Sequence, residues 1–131
     1  MSDQRTPQAR QAPAAQATGR YLRVSPRKVR RVLRVIRGLT VPRAEALLAH
    51  WPQEVRHHVR AVLKTATASA KQKAQLAPEA LVIVTAVADE GPMWKRHRAA
   101  SMGRATTIRK RTCHLRIVLD VARAAGGRDG T

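Results

Sequence analysis

Five histidines, a single cysteine and the adjacent acids Asp89 and Glu90 are the residues in this chain of 131 whose chemistry invites a metal ion or a reaction. Their spacing argues against both. His57 and His58 are neighbours, and Cys113 and His114 are neighbours on a predicted strand, where successive side chains point to opposite faces and cannot share one ion. Asp89-Glu90 stands at the base of a cationic run, so we expect it to pair with a nearby Lys or Arg and orient that run rather than move protons. No nucleophile beside a base and no phosphate-cradling glycine loop can be picked out. The expectation is a protein that is not an enzyme and holds no cofactor and no metal.

The remaining chemistry is electrostatic. From Gly91 to Arg116 the chain carries Lys95, Arg96, Arg98, Arg104, Arg109, Lys110, Arg111 and Arg116 without one Asp or Glu. A second concentration lies earlier, where Arg27, Lys28, Arg30, Arg31, Arg34 and Arg37 again lack an acid at helical i, i+4 spacing. Like charges so placed repel by a few tenths of a kcal/mol per pair, which suits a helix that rests on an anionic surface. Over the whole chain, 26 Lys plus Arg face 8 Asp plus Glu, a formal charge of +18. Such a balance calls for a polyanionic partner, with nucleic acid the leading candidate. With Tyr21, Trp51 and Trp94 as the whole aromatic complement, recognition should favour phosphate, sugar and shape over base stacking on several rings.

Hydrophobic periodicity says what must position these charges. Ser25-Pro26 opens a helix, the hydroxyl as N-cap and the proline in the first turn. Val29, Val32, Leu33 and Ile36 then recur at i, i+3, i+4 and i+7, and Gly38 stands where a left-handed terminator is wanted. A short helix follows Thr40, with Ala44, Leu47 and Leu48 as its buried stripe. A longer one runs from about Gln53 to Ala74. The stretches 81–88 and 111–119 read as strands flanking the basic run, and a short strand is expected around Tyr21 to Ser25. The predicted fold is therefore α+β, a small antiparallel sheet packed with three helices and a long projecting β-hairpin. If each leg has about nine residues at ~3.3 Å per residue, the hairpin reaches roughly 30 Å. We expect residues 1–18 to be a disordered tail, 19–120 one domain with its hairpin over 88–112, and 121–131 a flexible tail. The length permits one modest core, the lone cysteine allows no internal disulfide, and no segment has the length of a membrane span.

Several motifs recur together. Ser25-Pro26-Arg27-Lys28 with Arg30 and Val32, Ile36-Arg37-Gly38, Val62-Leu63-Lys64 with Ala66, Ala68 and Ala70, Asp89-Glu90-Gly91-Pro92, Lys95-Arg96, Gly103-Arg104-Ala105, Ile108 and Lys110-Arg111-Thr112-Cys113-His114 all stand in one order. In that order and spacing the chain resembles the large-subunit ribosomal protein family numbered twenty-two, in its bacterial and plastid form. The resemblance implies a structural constituent of the large subunit that binds its 23S-type rRNA and assists assembly. Neighbouring ribosomal proteins and the nascent polypeptide would be its other partners, because the family's hairpin lines the peptide exit tunnel. The ribosome would be cytoplasmic, with an organellar one left open. No membrane and no homo-oligomer are implied.

For the globular face, the rRNA contacts expected are Arg23, Ser25, Arg27, Lys28, Arg30, Arg31, Arg34 and Arg37. For the hairpin they are Trp94, Lys95, Arg96, His97, Arg98, Met102, Gly103, Arg104, Arg109, Lys110, Arg111, Thr112 and His114. The resemblance implies that Trp94, Lys95 and Arg96 lie near the tip on the way in and Ala99 to Arg104 at the turn and return, and His114 either touches RNA or is solvated. The chain departs from the family's usual pattern at His97, Ala99 and Ala100, where the hairpin is less basic and less rigid. It departs again at Arg34, Lys71 and Lys73. The alternative is a DNA-binding regulator using the Arg-rich first helix, which leaves the long arm unexplained. A cationic membrane-surface protein lacks bulky apolar residues on the exposed side of that helix.

Overall fold

The computed structural model describes residues 13–121, and the segments 1–12 and 122–131 of the expected tails lie outside the described residues. Among those described, the order is β1 Ala15–Leu22, α1 Pro26–Ile36, α2 Val41–Ala49, α3 Val55–Ala74, β2 Leu81–Glu90, β3 Trp94–Ala99, β4 Ala105–Lys110 and β5 Cys113–Val121. A three-stranded antiparallel sheet has the order β1-β5-β2, and β3-β4 form a separate two-stranded ladder. This is the α+β architecture expected.

The sheet is buried on one face. Cys113, Leu115, Ile117 and Leu119 of β5 alternate inward with period two, and Leu81, Ile83, Ala86 and Ala88 of β2 do the same except for one extra residue at the irregularity between Ile83 and Thr85. Over them lie Val29, Val32, Leu33 and Ile36 of α1 and Val59, Leu63, Ala66 and Ala70 of α3. The small residues late in α3 keep that helix close to the strands. Burial also pushes the Cys113 thiol up from its ordinary value of 9.0, the charge of Arg30 partly opposing the shift.

Three expectations are corrected here. The first strand begins at Ala15, inside the stretch expected as tail, and ends at Leu22 rather than Ser25. Ala15 and Ala17 are buried and pair with Leu119 and Ile117 of β5, so two methyl side chains do the work that a Val or Ile would have announced. The pairing is irregular between Gly19 and Leu22, where Tyr21 takes a φ of 55°, a bulge inside the strand after which Leu22 pairs with Cys113. Ser25 stands at the N-cap of α1, and Thr40 at that of α2, but neither hydroxyl makes a capping bond. The Ser25 carbonyl instead accepts from the backbone N–H groups of Lys28 and Val29. Gly38 does take the left-handed conformation, at φ 85°.

Candidate nucleic-acid interface

The arm is built from β3 and β4, each six residues long and exposed at every position. Six residues per leg give the ladder a length of roughly 20 Å, shorter than the nine-residue legs expected, because Gly91–Met93 and Arg111–Thr112 form the root instead. Register runs from Trp94↔Lys110 through Lys95↔Arg109, Arg96↔Ile108, His97↔Thr107 and Arg98↔Thr106 to Ala99↔Ala105. Directly opposed residues share a face. Trp94, Arg96, Arg98, Thr106, Ile108 and Lys110 therefore lie on one side, and Lys95, His97, Thr107 and Arg109 on the other. Cations stand on both.

At the tip, Met102 and Gly103 turn the chain with φ of 61° and 68°, the Ala100 N–H donates to the Arg104 carbonyl at 2.8 Å, and the Met102 side chain is 94% exposed. Trp94, Lys95 and Arg96 are thus corrected from the tip to the root, since β3 starts at Trp94. That root is fastened by neutral bonds. The Gly91 N–H donates to the Thr112 carbonyl at 2.9 Å, and the Thr112 hydroxyl donates to the Pro92 carbonyl at 2.5 Å. Thr112 is the buried polar residue of the described chain, so its place in the interface is at the base of the arm and not on its surface. A Cβ at position 91 would sit 2.5 Å from that hydroxyl, which is why glycine is needed there. Asp89 and Glu90, expected to orient the arm by ion pairing, are exposed residues at the end of β2.

The basic residues of α1 divide. Arg30 Nε donates to the Ala88 carbonyl at 3.1 Å and an Arg37 guanidinium N–H to the Ala86 carbonyl at 2.5 Å. These two arginines are seven apart, two turns along one stripe of the helix, and their acceptors are two apart on one edge of β2. The Gly38 N–H donating to Ile83, the Ile83 N–H donating to Leu39, and a Thr40↔Val82 bridge complete the cover. Sheet edges left open invite pairing with other chains, so Arg30 and Arg37 have a structural task besides their charge. Arg27, Arg31 and Arg34 form a separate exposed stripe. His114, half-buried on the sheet face opposite to Cys113 and Leu115, also has a partner within the chain: its Nδ1 accepts from the Tyr21 N–H at 3.1 Å, and the two rings meet edge to face at 4.9 Å.

Between the domain and the arm's root lies an open cleft of about 820 Å³. Arg23, Ser25 and Lys28 line it with Trp94, Arg96, Lys110, Arg111 and Thr112, bringing both expected groups of residues together. Its third wall is the start of α3, with Gln53, Glu54, Val55 and His58. Sequence reasoning missed that wall, because nothing local in 53–58 marks it as facing a hairpin forty residues downstream. Among the described residues no three of His, Cys, Asp and Glu gather where a metal ion would be held, and no helix is long and apolar enough to cross a membrane.

The family model described as ribosomal protein L22p/L17e matches residues 17–120. The chain belongs to that ribosomal protein family. Large ribosomal subunit protein uL22 of Synechococcus sp. (strain JA-3-3Ab) is 48% identical over 108 residues, covering 82% of this chain and 88% of that protein. Its namesake in Roseiflexus castenholzii is 41% identical over 106 residues, covering 81% and 94%, and that in Halothermothrix orenii 43% over 105 residues, covering 80% and 93%. The matched region contains every element from most of β1 to nearly the end of β5, arm included. The DNA-binding alternative finds no support in these relatives.

Proposed function

We propose that this chain is a structural, non-catalytic constituent of the large subunit of the cytoplasmic ribosome, binding large-subunit rRNA with its globular face and its arm. The observation that carries the reading is the arm itself, a ladder exposed on both faces, cationic on both and free of acids from Gly91 to Arg116. A solvated surface needs no such one-sided charge, whereas a finger surrounded by phosphate does. The family's hairpin supports the finer reading that the tip, Ala100 to Arg104, lines the peptide exit tunnel beside the nascent chain. Neighbouring large-subunit proteins and a part in assembly complete the proposal.

Binding should depend steeply on salt. If about 6–10 phosphates are neutralised, affinity for protein-free large-subunit rRNA falls by ~10³–10⁵ between 50 and 200 mM salt. A filter-binding titration with the full chain reads this directly, and a flat response would overturn the reading. Replacing Lys95, Arg96 and Arg98 by Ala should lower the salt slope by roughly 0.7–0.9 per lost phosphate contact. The same substitution should change chemical probing of tunnel-wall RNA in assembled subunits.

A further inference from the structure

The cleft at the arm's root contains more than charge. Five cations, Arg23, Lys28, Arg96, Lys110 and Arg111, face one carboxylate, Glu54, around a space of about 820 Å³. That volume lies in the range of sites that enclose a small molecule, far more than a phosphate oxygen needs. Trp94 lines it with its side chain 53% exposed, the Arg96 guanidinium 5.6 Å from the ring centroid. An exposed indole is an unusual thing for this chain, which has two tryptophans, one tyrosine and no phenylalanine.

Two polar groups in the lining have no internal task. The side-chain oxygen of Gln53 is buried without a hydrogen-bond partner, a state that costs about 1–3 kcal/mol in general unless a ligand relieves it. The Ser25 hydroxyl stands at the head of α1 and caps nothing. A flat aromatic face, a cationic rim, an unmet acceptor and a spare hydroxyl are the parts needed to hold one base and its phosphate.

From these we infer that the cleft receives a single unpaired nucleotide of the bound RNA, its base stacked on Trp94 and its exocyclic amine donating to the Gln53 side-chain oxygen, which turns out of its sealed position to meet it. The adjoining phosphate is held by Lys28, Lys110 and Arg111. This inference rests on the RNA-binding reading above and deepens it: duplex phosphates alone would use the cations and leave Trp94 and Gln53 idle. An acidic peptide would do the same.

The test uses the full chain and protein-free large-subunit rRNA, with binding affinity, salt slope and base-specific chemical probing as readouts. Trp94→Ala should weaken binding by about 5- to 150-fold, the range for loss of one stacked base, with the salt slope unchanged. Trp94→Phe should recover most of that loss. Lys110→Ala should lower the slope instead. One unpaired base with an exocyclic amine should be protected by the wild-type chain and become reactive with Trp94→Ala and with Gln53→Ala. Circular dichroism checks that the variants fold, and if Trp94→Ala does not, Gln53→Ala and Trp94→Phe decide. Wild-type affinity and an unaltered protection pattern in both Trp94→Ala and Gln53→Ala would overturn the pocket while leaving RNA binding intact. Failure of the wild-type chain to bind the RNA would overturn the underlying reading as well. Quenching of tryptophan fluorescence by poly-glutamate at concentrations equal to those of single-stranded RNA would overturn the nucleotide in favour of an acidic peptide.

Discussion

The first helix and the arm carry comparable densities of arginine and lysine, and the protein uses them differently. On α1, apolar positions anchor one stripe in the core, and the arginines bordering that stripe, Arg30 and Arg37, are drawn to the carbonyls along the edge of β2. On the arm nothing is anchored, and both faces are left to solvent or to a partner. Charge beside a core becomes partly structural, whereas charge on a two-stranded ladder remains available for binding. A basic run in a sequence therefore tells little until the neighbouring apolar pattern is known.

The sharpest way to break this contrast is to remove one isoleucine from each region. Ile36→Ala empties a fully buried site on α1 and should cost about 2–5 kcal/mol, read as a lowered denaturant midpoint. Ile108→Ala on the arm, where the residue is 39% exposed, should leave that midpoint in place. Equal losses would mean that the arm is part of the body's cooperative unit.

A smaller effect separates the two kinds of arginine. Arg37→Met keeps much of the packing stem but deletes the bond to the Ala86 carbonyl. It should cost about 1 kcal/mol, the worth of a typical hydrogen bond. Lys95→Ala should not change the melting temperature, yet should weaken RNA binding at low salt. The reverse assignment of effects would erase the distinction drawn here.

The smallest expected effect concerns pH. Because burial raises the folded-state value of Cys113 above its ordinary 9.0, the unfolded chain gives up that proton first as pH rises. Stability contributed by the neutral buried thiol is thus complete below about 9.0 and is lost on going up through the folded value. Cys113→Ala should flatten the part of the alkaline stability slope owed to this group. Unfolding midpoints from pH 8 upward, compared between the two proteins, measure it.

Most of the scaffold was legible because its signals are periodic and apolar: Val29 to Ile36 at helical spacing, Leu81 to Ala88 and Cys113 to Leu119 at strand spacing. The arm was legible through its charge and through the strands on either side. What escaped depended on tertiary neighbours. Ala15 and Ala17 form a strand because β5 lies beside them, although alanine has little strand preference of its own. Arg30 and Arg37 looked like Arg31 and Arg34 until the edge of β2 stood next to the helix. The resemblance put Trp94 near the tip, whereas the ladder starts at that residue, and the cleft it lines needs three distant segments to exist at all.

The position of β1 at the side of the sheet also bears on how the chain can be trimmed. Cutting at residue 18, as a composition-based boundary would suggest, removes the partners of Leu119, Val118, Ile117 and Arg116. The backbone of β5 would then be bare along that side, a row of unpaired donors and acceptors next to the main hydrophobic strand of the protein. A shortened chain of this kind is a template for self-association, and insolubility of such a fragment would reflect a missing edge rather than a failure of the core.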